Sequence, residues 1–499
     1  MCASLFHPTL GATLHGLSWG GDVWQFRGLR YGVVPYRFAN PEPPGTLSGE
    51  VDCTGYGPRC PQNHVDFRHL LRIPQDEEIP TQDEDELRCL NLEVTSPALK
   101  SFPERPYPVL VWIHGGSQAV SFGTSASGLC DPTVLVQRSI DMAEPIIAVT
   151  INYRLNMFAF GDCTSERNLA LRDQQLALEF VKTHIPGFGG DPENITIAGE
   201  SAGAVYCHAH LLMGSPASQC ILQSGTLHLS PPQPRKTAEM LIARVSDELS
   251  RLGNWTLRDA PVSKLLEAQE RLGLVSFYLQ MEEKLKGWEE KIGDGFQRVL
   301  IGDTEYESVL WRNGIESLSP EYICDAFDSA EETAPALKKQ YGIVPDRPVS
   351  CKLGALDLLN DARFSLPIDL FLKQCRQAKK PSFRFLVDQP NSWQASSRAH
   401  HGVDLLYLFN TYDLSHNQPA QEIARSMQEK WIMFICGKDP WEPGEAFAFG
   451  PFGESRLLSP QGLSARRRQQ HVAALAALGF QKVNEIVAKL ATGRSSLLN

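Results

Sequence analysis

Short apolar runs alternate with helix-like stretches through most of this chain, and this alternation constrains its fold more than any other feature. Each run ends near Gly, Ser, Asp or Asn, as buried strands commonly do. The predicted strands cover residues 109–113, 146–151, 195–198, 221–223, 299–301 and 383–387. The clearest helix between them covers residues 169–182, where apolar side chains recur at helical spacing. The pattern predicts an α/β protein with a central, mostly parallel sheet flanked by helices.

Composition excludes several classes of protein. The 499 residues carry 47 Lys and Arg against 58 Asp and Glu, so the formal net charge is −11. A hydrophobic fraction of 42% excludes a disordered chain, and the mild acidity argues against a nucleic-acid partner. The apolar runs are far shorter than the roughly 20 residues of a membrane-spanning helix, so no membrane partner is expected. The 12 cysteines lack metal-binding spacing, and we expect neither a metal nor another cofactor.

The first residues do not match a secretory signal. No Lys or Arg precedes Arg27, and His7 and Pro8 interrupt any apolar stretch that could form the signal core. We therefore expect a cytoplasmic protein. No feature of the sequence indicates an oligomeric state.

Two segments depart from the alternating pattern. Residues 231–295 open with a proline-rich stretch and continue as charged amphipathic helices. We interpret them as a helical insertion into a single domain of residues 1–499, after the half of that domain that ends with the predicted strand 221–223. Residues 60–89 contain acidic clusters at 76–78 and 83–86, and they are predicted to form a surface loop over the functional site.

The last predicted helix covers residues 464–478 and begins near three consecutive arginines, Arg466, Arg467 and Arg468. A run of like charges is usually a solvated helix face, although a nuclear targeting signal is an alternative interpretation. We favour the solvated face.

The strongest chemical signal is a G-x-S-x-G motif, Gly199-Glu200-Ser201-Ala202-Gly203. It lies between a predicted strand and a helix-like stretch, which is the context of the nucleophile elbow of α/β-hydrolases. The flanking glycines permit a sharp turn that lifts the Ser201 hydroxyl above the sheet at a helix N-terminus. The alternative is an ordinary turn in which Ser201 caps the helix.

A second signal is His114-Gly115-Gly116, which follows the predicted strand 109–113. Glycine-rich loops allow backbone N–H groups to converge on the oxyanion of an acyl-transfer intermediate. Taken alone, the segment is more simply a glycine turn. Its position after an early strand and ahead of the serine motif favours the oxyanion role.

Because these motifs occur in a specific order along the chain, the chain resembles the type-B carboxylesterase and cholinesterase family over most of its length. The segments that carry the resemblance are Phe26-Arg27-Gly28-Leu29-Arg30-Tyr31-Gly32, Asn152-Tyr153-Arg154-Leu155, Asp173-Gln174, Phe188-Gly189-Gly190-Asp191-Pro192, the serine motif and Leu222-Gln223-Ser224-Gly225. The resemblance implies the α/β-hydrolase fold. It also implies a catalytic triad in the chain order Ser, Glu, His.

The resemblance assigns the triad to Ser201, Glu307 and His401. The family places its glutamate five residues after the glycine that follows a strand, and here that glycine is Gly302. Asp303 and Glu305 remain local rivals, because Ser308 replaces the glycine that usually follows the acid. His401-Gly402 matches the family's His-Gly pair, and the adjacent His400 is its rival.

The resemblance also implies an oxyanion hole formed by the backbone N–H groups of Gly116, Ser117 and Ala202. Ser117 replaces a glycine of the family motif, but it still supplies an N–H group. In the family, cysteines at the positions of Cys60 and Cys89 form a disulfide. Because the expected location is cytoplasmic, we expect these two thiols to be mostly reduced.

The function implied is a serine carboxylesterase that hydrolyses small-molecule carboxylic esters through an acyl-enzyme. An acyltransferase that uses the same acyl-enzyme, and a non-catalytic scaffold protein of the same family, are the alternatives. Cholinesterase activity is not expected. The loop at residues 60–89 contains no Trp or Tyr, so it lacks the aromatic face that would bind a quaternary ammonium group. The sequence does not indicate the identity of the acyl and alcohol groups of the substrate.

Overall fold

The structure is a computed structural model that describes residues 2–74, 82–99, 103–164 and 166–491. The strands are β1 Cys2–His7, β2 Ala12–Trp19, β3 Val23–Arg30, β4 Gly49–Asp52, β5 Asn91–Pro97, β6 Tyr107–Ile113, β7 Ile147–Ile151, β8 Gly190–Glu200, β9 Gln219–Gln223, β10 Arg298–Thr304, β11 Ser382–Val387, β12 Ala446–Phe449 and β13 Ser455–Leu458. The α-helices are α1 Phe67–Leu71, α2 Thr133–Asp141, α3 Asn156–Phe160, α4 Leu169–His184, α5 Ala202–Met213, α6 Arg235–Arg251, α7 Val262–Arg271, α8 Arg312–Ser317, α9 Pro320–Phe327, α10 Ala334–Tyr341, α11 Pro348–Asn360, α12 Leu366–Gln377, α13 Val403–Phe409, α14 Gln418–Ile435, α15 Pro460–Arg466, α16 Gln469–Leu478 and α17 Phe480–Leu490.

The strands form one sheet in the order β1-β2-β3-β5-β7-β6-β8-β9-β10-β11-β12-β13, with β4 beside β2. Neighbours from β7 to β12 pair in parallel. The pairs from β1 to β7 along that path, and the final pair of β12 with β13, are antiparallel. The predicted α/β fold with a mostly parallel sheet flanked by helices is therefore confirmed.

The central strands are buried on both faces. Their sequences are therefore continuous apolar runs, without the alternation of apolar and polar residues that a half-exposed strand shows. In β6, Val109, Val111 and Ile113 pack into one apolar cluster. Leu110 and Trp112, which point to the other face, pack into a second cluster. Helices on each side of the sheet complete these two clusters, so the sheet is held rigidly between two layers.

The segment 231–295 contains α6 and α7 together with two short 3-10 turns, and it lies between β9 and β10 in the chain. Val245 and Leu249 of α6 and Leu265 of α7 are buried in the same apolar cluster as one face of the sheet. The two helices therefore pack on the main body through their apolar stripes.

The segment 60–89 borders the loops at one end of the sheet. Within it, α1 packs on the loop after β6, where the rings of Phe67 and Phe122 have centroids 6.4 Å apart. Of its acidic residues, Glu84 pairs with Arg59 at 2.9 Å and Glu86 with Arg37 at 2.6 Å. The acidic cluster at residues 76–78 lies outside the described residues.

The single helix predicted at residues 464–478 is wrong, because the structure divides this segment between α15 and α16. Arg468 has a φ of 39°, in the left-handed region, so the helix cannot continue through it. The break turns the arginine side chains towards the body of the protein.

The predicted solvated face of the three arginines is also wrong. Each guanidinium pairs with a buried carboxylate, and the Arg467 side chain is only 2% exposed. The pairs are Arg466 with Asp388 at 2.7 Å, Arg467 with Asp303 at 2.7 Å and with Asp388 at 2.8 Å, and Arg468 with Asp361 at 2.7 Å. Buried carboxylates need such partners, because an uncompensated buried charge is costly.

Candidate active site

Four loops that carry candidate site residues follow parallel strands of the same sheet. Gly116 follows β6, Ser201 follows β8, Glu307 follows β10 and His401 lies in the connection after β11. In open α/β sheets, ligands bind at the carboxyl ends of the strands. The topology therefore brings these residues together at the carboxyl end of the sheet's parallel strands.

Ser201 stands on a sharp turn between β8 and α5. Its φ of 57° and ψ of −122° lie outside the usual regions for a side-chain-bearing residue, and such strain costs about 1–3 kcal/mol. The turn is tight enough that a Cβ at Gly203 would lie 2.1 Å from the carbonyl oxygen of Ile113. Strained backbone of this kind clusters at functional sites.

His401 and Glu307 are brought together by the structure. The Nδ1 of His401 hydrogen-bonds with Oε2 of Glu307, and both side chains are buried. The other carboxylate oxygen, Oε1, accepts from the backbone N–H of Thr304 at 2.7 Å. Asn360 Oδ1 in turn accepts from the backbone N–H of Glu307 at 2.8 Å. The carboxylate is thus fixed in orientation toward the imidazole ring.

Backbone hydrogen bonds join the loops that carry the acid and the base. The N–H of Tyr306 donates to the carbonyl of Ala399 at 2.8 Å, and the N–H of His401 donates to the carbonyl of Tyr306 at 3.3 Å. The ring of Phe364 lies beside His401, with centroids 5.8 Å apart. These contacts hold the imidazole in one place.

The rival residues are engaged elsewhere. Asp303 binds Arg467, and Glu305 pairs with Arg398 at 2.6 Å in a partly exposed position. His400 Nε2 lies 3.1 Å from Asn391 Nδ2, and burial lowers the pKa of His400 to about 4. The residues of the family motif, rather than their neighbours, therefore face one another.

Sequence reasoning missed the second carboxylate at the imidazole. Glu200 Oε1 lies 3.1 Å from His401 Nε2, and Glu200 is 1% exposed. Burial lowers the pKa of His401, but the charges of Glu200 and Glu307 and the hydrogen bond to Glu307 outweigh it and raise the pKa to about 9. Burial also raises the pKa of Glu200 to about 8. The only available signal was that Glu200 adjoins the serine within the motif.

Replacing Glu200 by Gln is expected to shift the pH dependence of activity to lower pH. The substitution removes one of the two negative charges that raise the pKa of His401, and a nearby charge typically shifts a pKa by roughly 1–3 units. A general base acts when it is neutral, so with His401 in that role activity is expected to rise as pH increases through its pKa. The acidic limb of kcat/KM for 4-nitrophenyl butyrate, measured from about pH 5 to about pH 9.5, reports this pKa.

Glu305→Gln is the matched control for this experiment. It removes the same charge from a partly exposed carboxylate that pairs with Arg398, on the same loop as Glu307. Its pH profile is expected to follow the parent's, because solvent screens the lost charge. A Glu200→Gln profile that superimposes on the parent's would contradict the electrostatic role of Glu200.

The backbone N–H groups of Gly116, Ser117 and Ala202 stand free for a ligand. Within the described residues, none of the three donates to a protein acceptor. The loop takes left-handed backbone at Gly116, with a φ of 111°, and at Ser117, with a φ of 55°. A Cβ at residue 116 would lie 1.9 Å from the carbonyl oxygen of Val120, so only glycine fits there. Free, fixed N–H groups of this kind can stabilise an oxyanion.

A cavity of about 190 Å³ opens beside Ser201. Its lining includes Ser117, Ser201, Ala202, Phe277, Trp311 and Arg363. Ser201 and two of the three residues with free N–H groups therefore line the same cavity. A small substrate group fits there next to the serine hydroxyl.

Cys60 and Cys89 are buried neighbours with free thiols. Hydrogen bonding with Cys60, followed by burial, raises the pKa of Cys89 well above its usual range. Protonated thiols are unreactive, which fits a reduced pair. The disulfide suggested by the family resemblance stays a prediction.

In the ranges that the structure describes, no three His, Cys, Asp or Glu side chains are arranged to hold a metal ion. Within the same ranges, no helix has the length and apolar character needed to cross a membrane.

The sheet topology and the serine turn between β8 and α5 define an α/β-hydrolase. The chain belongs to the carboxylesterase family, whose model matches residues 10–469. It is 30% identical to Lipase 3 of Yarrowia lipolytica over 96% of this chain and 98% of that protein. It is 27% identical to the para-nitrobenzyl esterase of Bacillus subtilis over 84% of this chain and 87% of that protein.

A solved structure of a PNB esterase has the same architecture. It superposes with a TM-score of 0.72 at 25% sequence identity, and covers 92% of this chain and 97% of its own. Family and fold together place the chain among the carboxylic ester hydrolases.

Proposed function

We propose that this protein hydrolyses carboxylic esters through an acyl-enzyme, with Ser201 as nucleophile, His401 as general base and Glu307 as the acid that orients it. The observation that carries the proposal is the buried hydrogen bond between His401 and Glu307. The same imidazole lies 3.1 Å from Glu200, the residue that precedes Ser201 on its strained turn. A buried carboxylate that fixes a histidine beside an activated serine is the arrangement that acyl transfer needs.

Acylation begins when the Ser201 hydroxyl attacks the ester carbonyl and His401 Nε2 takes its proton. Glu307 accepts from the Nδ1–H group and stabilises the imidazolium that forms. Nε2, which lies toward Glu200 in the structure, is the nitrogen that acts as the base once the ring is neutral. The carbonyl oxygen becomes an oxyanion and accepts from the N–H groups of Gly116, Ser117 and Ala202. When the tetrahedral intermediate collapses, His401 returns the proton to the departing alcohol and the acyl group stays on Ser201.

Deacylation repeats these steps with water as the nucleophile. His401 takes a proton from water, the resulting hydroxide attacks the acyl carbon, and the proton returns to Ser201 as the acid leaves. Loss of one oxyanion donor typically costs about 10²–10³ in rate, so the three N–H groups are central to both halves of the reaction.

A fluorophosphonate probe tests the proposal directly. Such probes react with an activated serine, so we expect one equivalent to bind and the adduct to map to the peptide that contains Ser201. Hydrolysis of 4-nitrophenyl butyrate should fall in proportion to labelling. Excess ester should slow labelling, since both compete for one serine. Failure to label, or labelling of a different serine, would contradict the proposal.

A further inference from the structure

Arg363 brings a positive charge to the cavity beside Ser201. Its side chain is partly exposed and lines the same cavity of about 190 Å³ as the serine. Among the described residues, its guanidinium makes one hydrogen bond, from Nη1 to the carbonyl oxygen of His228 at 2.9 Å. A guanidinium has five N–H donors, so most of its hydrogen-bonding capacity is available to a ligand.

No carboxylate neutralises Arg363 within the described residues. Other arginines of the protein interior are paired, as Arg154 is with Asp173 at 2.6 Å and Arg467 is with Asp303. The described residues that line the cavity include neither Asp nor Glu. The two buried glutamates of the site, Glu200 and Glu307, pair with His401 rather than with Arg363.

The protonation states around Arg363 leave its charge uncompensated. Burial lowers the pKa of Arg363 to about 10, which still leaves the guanidinium charged at neutral pH. Burial, together with the nearby His208 and Arg363, lowers the pKa of His228 to about 3, so His228 is neutral. A lone charge in a small cavity is unfavourable unless a ligand of opposite charge meets it.

The backbone that carries Arg363 is firmly held. It lies in the π-helical turn Asp361–Ser365, a local geometry that often occurs at functional sites. At one end, Asp361 binds Arg468 at 2.7 Å. At the other end, the Ser365 hydroxyl donates to Asp303 Oδ2 at 2.9 Å. The turn therefore presents Arg363 to the cavity from a fixed base.

We propose that the ester hydrolysed at Ser201 carries a carboxylate, and that Arg363 binds this carboxylate in the cavity. The substrate class is then a monoester of a short dicarboxylic acid, or an ester of a short hydroxy acid. A guanidinium fork matches a carboxylate in a paired geometry that a neutral group cannot reproduce. This inference rests on the proposed function, since it requires that Ser201 attacks an ester.

Matched substrate pairs test the inference. 4-Nitrophenyl glutarate is compared with 4-nitrophenyl glutaramate, in which a neutral amide replaces the carboxylate at equal size. 3-Acetoxypropanoate and 3-acetoxypropanamide form the second pair, with the charge on the alcohol side. After subtraction of the enzyme-free rate, we expect kcat/KM to favour the charged member of one pair by roughly 10- to 100-fold, mainly through KM.

Variants connect that preference to Arg363. Arg363→Met should reduce the charged-to-neutral ratio to about one, and Arg363→Lys should retain part of it, because Lys keeps the charge without the fork. Arg312→Met removes the same charge from an exposed neighbour, and its ratio should equal the parent's. Fluorophosphonate labelling and thermal unfolding of each variant report whether it has folded.

The results distinguish failure of this inference from failure of the proposed function. Parent enzyme that hydrolyses the neutral members as well as the charged ones in both pairs would overturn the inference and leave the proposed function intact. A folded Arg363→Met variant that keeps the parent's ratio would do the same. No turnover of any of the four esters, with no labelling of Ser201, would overturn the proposed function and the inference with it.

Discussion

Ser201→Ala is expected to lower the turnover of 4-nitrophenyl butyrate by roughly a million-fold, which is the loss typical of a triad nucleophile. The variant lacks the oxygen that forms the acyl-enzyme, and His401 has no hydroxyl to activate. Steady-state rates at matched protein concentration measure the effect. The melting temperature should stay close to the parent's, because alanine keeps the Cβ and loses a hydroxyl that makes no hydrogen bond within the described residues.

Ser276→Ala is the control for this substitution. Ser276 lines the same cavity as Ser201 but does not stand on the turn after β8. Its turnover should stay within about tenfold of the parent's, in the range expected for a side chain that only lines the substrate cavity. Near-parental turnover in Ser201→Ala would end the nucleophile assignment.

Glu307→Gln is expected to lower turnover by roughly 10⁴-fold, comparable to the loss when a triad carboxylate becomes an amide. The amide cannot stabilise the imidazolium, and its N–H₂ group favours the wrong tautomer of His401. The Thr304 N–H can still donate to the amide oxygen, so the local structure should persist. Turnover and circular dichroism of the purified variant measure the two effects separately.

Glu305→Gln serves again as the matched control, since it makes the same chemical change two residues away. Its side chain pairs with Arg398 at a partly exposed position, so turnover should be close to the parent's. If Glu305→Gln were inactive and Glu307→Gln active, the acid would be assigned two residues too late.

The parallel half of the sheet was predictable because its strands are buried on both faces. Such strands are continuous apolar runs, and the six predicted ones fall within β6 to β11, apart from one residue at the start of β7. The antiparallel strands β1, β2 and β3 escaped notice. Their burial alternates or is interrupted, as in β2, so their apolar residues are spread among polar ones.

Long-range charge pairing could not be predicted from the arginine run. In the sequence, Arg466, Arg467 and Arg468 are a local cluster of like charge, which normally indicates solvent. Their carboxylate partners are far away in the chain, and only the fold brings the two groups together. Burial of such a cluster is a tertiary property with no local signature.

The candidate site also contains residues that the sequence could indicate and residues that it could not. Ser201, Glu307 and His401 could be proposed because each belongs to a motif of fixed spacing, and their roles stay predictions. Asn360 and Arg363 belong to no motif. They reach the site because a π-helical turn follows α11 and faces the loop that carries Glu307. No spacing rule in the sequence indicates that approach.

The three arginines at the end of α15 and just after it affect how the loops that carry Glu307 and His401 become ordered. Asp303 is the next-to-last residue of the strand that leads to Glu307, and Asp388 follows the strand that leads to His401. Without Arg466 and Arg467, Asp388 loses both of its ion pairs and Asp303 loses its direct one, although Arg384 still contributes a positive charge near Asp303. The acid and base loops therefore gain these ion pairs only when the segment that carries the arginines is present. A chain truncated before Arg466 is expected to keep the serine motif and to lose the ion pairs that hold the ends of β10 and β11.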